Sequence, residues 1–103
     1  MAPAKMQKES ALAAPTNLKL MIVSKAFKLT WKPSPEDPGK VTGYEIVRSD
    51  LASGPFNTVA KVERGVSQYI DTTAAPEIIY YYKVRAMSGN IYSPYSNTVT
   101  GER

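Results

Sequence analysis

Tyr80-Tyr81-Tyr82-Lys83-Val84-Arg85-Ala86 is the segment that decides the fold class. Tyr80, Tyr82, Val84 and Ala86 share one parity, and Tyr81, Lys83 and Arg85 the other. Successive side chains of a strand point to opposite faces, so this parity predicts a half-buried strand with an aromatic and aliphatic inner side. A helix would scatter the same residues around its circumference. The aromatic and β-branched content also suits a pleated surface better than a helical one.

Working outward, the same period recurs. Leu18, Leu20 and Ile22 alternate with polar or flexible neighbours, and Phe27, Leu29 and Trp31 alternate with Lys28 and Thr30. Pro33, Pro35, Pro38 and Gly39 then impose an irregular loop, because proline cannot donate to a ladder. Tyr44 and Ile46 alternate with Glu45 and Val47 in a third strand reaching about Arg48. Ser53-Gly54-Pro55 marks a turn, with a fourth strand over Phe56–Val62 and a brief fifth over Tyr69–Asp71. After the central segment, Met87–Tyr95 reads as a loop turned by Ser88-Gly89-Asn90, and Ser96–Thr100 as the last strand, Val99 pointing inward. No window carries apolar residues at helical spacing without Pro or Gly. Seven short strands with turn signals every 8–12 residues predict an all-β, seven-stranded antiparallel β-sandwich. The expected core is Leu18, Leu29, Trp31, Tyr44, Ile46, Tyr80, Tyr82, Val84 and Val99.

Composition narrows the chemistry. The 103 residues suffice for one domain, expected over residues 15–101, with residues 102–103 as a tail. Residues 1–14 read as a disordered leader or linker, since Ala11–Ala14 is too short for the apolar core of a signal peptide. There is no Cys and no His, which removes disulfides, thiol nucleophiles, imidazole bases and zinc sites built from either residue. No run approaches the roughly 18–20 apolar residues of a membrane helix, so no membrane insertion is expected. Glu36-Asp37, the one adjacent carboxylate pair, lies between Pro35 and Pro38 without the spaced oxygens a calcium site needs. Ser53-Gly54 lacks the flanks of a nucleophile elbow, and the six glycines are dispersed among turns. No catalytic residue, cofactor or metal ligand is expected.

These residues resemble a fibronectin type III domain over about Pro15 to Gly101. Pro15 with Asn17-Leu18, Leu29-Thr30-Trp31, Tyr44-Glu45-Ile46-Val47-Arg48, Gly54-Pro55-Phe56 with Val59-Ala60, Asp71-Thr72-Thr73, the Tyr80–Ala86 strand, and Ser96-Asn97 with Val99 fall in the family's order. The resemblance implies an immunoglobulin-like sandwich of three strands on four. It makes Trp31 a central core residue and Tyr80 the corner tyrosine whose hydroxyl bonds back to nearby backbone. One departure is Ala74, six positions before Tyr80, where the family often has a large aliphatic residue. The family's adhesive Arg-Gly-Asp is absent: Ser88-Gly89-Asn90 stands at that turn, and Arg64-Gly65 precedes Val66 elsewhere.

The function expected from the resemblance is a non-catalytic module, acting as a spacer or protein-interaction domain in a larger multidomain protein. Such modules also separate catalytic from carbohydrate-binding domains in bacterial enzymes. Its partners would be the neighbouring domains of that parent, which works outside the cell or at its surface; the domain itself is expected to be monomeric. The alternative is a receptor-type or polysaccharide-recognition module. It would bind through the outer side of the four-strand sheet, with Tyr81, Lys83, Arg85, Tyr92 and Tyr95 and the Met87–Tyr95 loop. On that side Lys83 and Arg85 are expected beside Glu45 and Val47 on a solvated face; the reading without a partner has their stems laid over Tyr81, with Glu45 as cross-strand counter-charge. Nucleic acid is not an expected partner: the net charge of +4 is modest, with Lys19, Lys25, Lys28 and Lys32 on the first two strands and Lys83 and Arg85 on another sheet.

Overall fold

The computed structural model describes residues 12–103. Among them are eight strands: β1 (Thr16–Val23), β2 (Ala26–Lys32), β3 (Gly43–Ser49), β4 (Asn57–Glu63), β5 (Gln68–Asp71), β6 (Ile79–Ser88), β7 (Ile91–Tyr95) and β8 (Val99–Glu102). They form two antiparallel sheets. One runs β1-β2-β5; the other runs β4-β3-β6, with β7 and β8 following one another along the free edge of β6.

The inward parities meet between the sheets. Leu18, Phe27, Leu29, Trp31, Tyr44, Ile46, Tyr80, Tyr82, Val84 and Ala86 make one buried cluster with Val41 and Ala74. Phe27 meets Tyr82 edge-on at 5.8 Å, and Trp31 meets Tyr44 at 5.7 Å, offset geometries that aromatic quadrupoles favour. Gly101 is fixed by close packing. A Cβ there would lie 2.8 Å from Leu20 and 3.3 Å from Phe27, where β8 crosses the rim of the first sheet.

Several expectations change. The eighth strand is β7, which occupies much of the Met87–Tyr95 segment expected as a loop; the irregular part is only the turn at Gly89–Asn90. Pro94 hid it, because a proline in a strand cannot supply a ladder donor. Where the register between β6 and β7 shifts, between Arg85 and Met87, serine hydroxyls take the place of ladder carbonyls as acceptors for β6. Ser93 Oγ accepts from Ala86 N at 2.8 Å, and Ser96 Oγ accepts from Val84 N at 3.0 Å. The last strand accordingly begins at Val99 and not at Ser96. Val99 itself is half-buried and packs on the edge of the core. At the ends of the described segment, Leu12 is buried and Glu102 pairs with Ile79. The leader expected for residues 1–14 falls, over residues 1–11, outside the described residues.

Register sets the two ends of the domain at opposite poles. At one pole Thr16 pairs with Lys32, and Ala13 N donates to Glu36 Oε1 at 3.1 Å. At the other, Glu102 pairs with Ile79, and the Arg103 guanidinium donates to the Lys25 carbonyl. The ten residues of β6 run between the poles, a span of about 30 Å at strand rise.

Candidate functional site

Alternation along β6 puts Tyr81, Lys83 and Arg85 on the outer side of the larger sheet, and cross-strand pairing sets Val47 opposite Lys83 and Glu45 opposite Arg85. That much follows from parity. The solvated face expected there does not form, because Glu45 and Val47 are buried. The hairpin to β7 carries Tyr92 and Tyr95 over this side, and the turn before β4 brings in Phe56. Lys83 Nζ sits 4.2 Å from the Phe56 ring centre and 4.4 Å from that of Tyr95. The Arg85 guanidinium sits 3.8 Å from Tyr92 and 4.8 Å from Tyr95. The result is a ladder in the order Phe56, Lys83, Tyr95, Arg85, Tyr92, with each cation between two ring faces.

Beneath the ladder, Glu45 Oε1 accepts from Arg85 Nε at 2.7 Å and Oε2 accepts from the Thr58 hydroxyl at 2.5 Å. Burial alone would raise the Glu45 pKa. The hydrogen bonds from Thr58 and Arg85 outweigh it and hold the carboxylate below its ordinary value. Tyr81 is half-buried on the same side, and Tyr92 remains 41% exposed. Both cations expected to reach a partner are thus already engaged within the fold.

A second polar cluster, invisible to spacing, joins the sheets. Asp71 closes β5 with no exposure to solvent. Its Oδ2 accepts from the Tyr82 hydroxyl at 2.6 Å and from Arg48 Nη1 at 2.9 Å. Its Oδ1 accepts from the Thr73 hydroxyl at 2.6 Å and from Thr73 N at 2.9 Å. Burial pushes this carboxyl up, but the four donors bring it below the ordinary aspartate value. The same pairing, with burial, drives the Tyr82 phenol well above its usual value. Arg48 lies 4.7 Å from the Tyr80 ring centre, and the Tyr80 hydroxyl accepts from Ala75 N at 3.1 Å. Asp71-Thr72-Thr73 was the one available signal, since Asp commonly accepts from the backbone N–H two residues on.

The Glu36-Asp37 pair is also tied up, Glu36 through the Ala13 N–H. Asp37 Oδ2 accepts from the Tyr44 hydroxyl at 2.8 Å and from Gly65 N at 2.9 Å, so it anchors the proline-rich loop. A groove of about 460 Å³, lined by Arg48, Asn57, Val59, Tyr69, Thr73 and Tyr80, opens beside the Asp71 cluster. With both oxygens of Asp71 saturated, the cluster offers no free base or nucleophile. Its chemistry is that of a clasp.

The family model for the fibronectin type III domain matches residues 13–102. The chain belongs to the fibronectin type III family. Among solved structures, a Fn3-like protein from Clostridium thermocellum aligns with a TM-score of 0.76 at 31% identity, covering 88% of this chain and 92% of that one. A pectate lyase from Erwinia chrysanthemi aligns with a TM-score of 0.72 at 27% identity, over 85% of this chain and 28% of the enzyme. An amylopullulanase from Thermoanaerobacter thermohydrosulfuricus is 40% identical over 78 residues, which is 76% of this chain. The chain spans only 5% of that relative's length, so the fibronectin type III domain there is a small part of a larger multidomain protein.

Proposed function

We propose that this domain is a non-catalytic, monomeric spacer in a carbohydrate-active enzyme that works outside the cell or at its surface. The observation that carries the reading is the polarity of the chain. It comes in beside Thr16 at one pole and leaves beyond Glu102 at the other, about 30 Å away along β6. Ion pairs, stacked cations and the Asp71 clasp stiffen the body between. Similarity to parts of an amylopullulanase and a pectate lyase supports the kind of parent. Recognition through Tyr81, Lys83, Arg85, Tyr92 and Tyr95 gains less support, because its two cations are spent on the ladder.

The test places the domain between two fluorescent reporters and measures single-molecule energy transfer. A spacer gives one narrow distance distribution, unchanged by salt. A Gly/Ser linker of equal residue count gives a broad one with a root-mean-square separation of about 50 Å. A distribution as broad for the domain as for the linker would remove the spacer role.

A further inference from the structure

The outer side of the smaller sheet is built unlike that of the larger one. Leu18, Phe27, Leu29, Trp31 and Tyr69 turn toward the core, so the alternate residues of β1, β2 and β5 face out. Lys28 and Lys32 stand on β2 about 13 Å apart, and Lys19 on β1 pairs opposite Thr30 between them. Asp71, the single acidic residue in these three strands, is buried. Lys19, Lys28 and Lys32 take part in no ion pair among the described residues, whereas Arg85 is held by Glu45. Across the middle runs a row of three: Met21 opposite Lys28 opposite Ile70. Met21 is 60% exposed and Ile70 46%.

We infer that this sheet face docks an acidic protein surface whose carboxylates surround apolar side chains. Charge complementarity selects the sign of the partner, since three ammonium groups that form no ion pair among the described residues gain most from anions. The apolar members of the row select a protein over a polymer of sugars or nucleotides. Met21 offers adaptable and Ile70 rigid apolar contact, and among the described residues of these three strands no aromatic ring faces outward for stacking on sugars or bases. The inference goes beyond the spacer role and does not depend on it.

The experiment titrates the isotope-labelled domain at low salt with three probes: a random copolymer of glutamate and tyrosine, polygalacturonate, and duplex DNA. The copolymer is expected to bind tightest, with amide shift changes centred on Lys19, Met21, Lys28 and Ile70. Replacing Lys19, Lys28 and Lys32 together by Glu should weaken it at least about tenfold. Met21→Ser with Ile70→Ser should weaken the copolymer several-fold while leaving polygalacturonate unchanged. Tighter binding of polygalacturonate or DNA would replace the protein partner by another class. Shift changes centred on Lys61 or Lys83, or no binding of the copolymer, would overturn the docking face. The wild-type shift map needs no variant, so it decides even where a variant fails to fold.

Discussion

Replacing Asp71 by Ala tests the clasp that joins the two sheets. The substitution strands the Tyr82 hydroxyl, on a residue without solvent exposure, and an unpaired buried hydroxyl costs about 1–3 kcal/mol. Arg48 loses its counter-charge. Its side chain is only 25% exposed, so water restores part of what the carboxylate supplied and the full penalty of a wholly buried broken pair does not apply. Losing the local bonds to Thr73 adds to this, and the expected total is about 3–5 kcal/mol. A domain of this size has roughly 5–13 kcal/mol in all, so the variant should melt some 15–30 °C lower. Urea unfolding followed by Trp31 fluorescence measures the loss, and an unchanged slope would show that compactness is preserved. Asp71→Asn keeps the shape and should lose about half as much. The carboxyl's folded-state pKa lies below its ordinary 3.8, so its contribution is present above that value. It disappears as pH falls through the lowered folded value, and the Asn variant should lack that part of the acid dependence. A loss under about 1 kcal/mol for Asp71→Ala, or no coupling to Tyr82→Phe in a double-mutant cycle, would refute the clasp.

Three further outcomes are expected. Arg85→Ala should cost about 2–4 kcal/mol in a thermal or urea melt, because it leaves the buried Glu45 carboxylate without its cation. An unchanged melting temperature would mean that Arg85 is free for a partner after all. Burial and bonding to a carboxylate hold the Tyr44 and Tyr82 phenols neutral above their ordinary 10.0, so the stability they contribute is complete below pH 10 and is lost as pH rises through the folded values. Absorbance titration should therefore leave Tyr44 and Tyr82 un-ionised until circular dichroism shows the fold collapsing, and ionisation of either phenol near pH 10 in folded protein would contradict this. Asn97 brackets Leu18, accepting from its N–H at 2.9 Å and donating to its carbonyl at 3.0 Å, so Asn97→Ala should lower the urea midpoint by an amount worth about 1–2 kcal/mol. No change would assign the joint between β1 and the β7–β8 edge to packing alone.

The sandwich was legible because period two is a local property. The parity of Tyr80 to Ala86, of Phe27 to Trp31 and of Tyr44 to Ile46 states which side of each strand is apolar, and two apolar sides have to meet. The candidate surface was legible only to the extent that Tyr81, Lys83 and Arg85 share a side. Pro94 concealed β7, and with it the passage of Tyr92 and Tyr95 over that side. Glu45 could be expected beside Arg85 because their strands read as neighbours on one sheet, but Arg48 and Asp71 lie 23 residues apart on strands of different sheets, where spacing carries no information about pairing.

The amino-acid order alone therefore determined the class of fold and the want of thiol or imidazole chemistry, since each depends on residue type and near neighbours. Which charges are consumed inside the domain and which stay free was decided only when the chain folded. Arg85 and Lys83 meet rings and a carboxylate brought from distant strands, whereas Lys19, Lys28 and Lys32 face outward on a sheet whose single acidic residue is buried. Coulomb attraction and ring stacking act over a few ångströms of space, and nearness in space is what chain order leaves open.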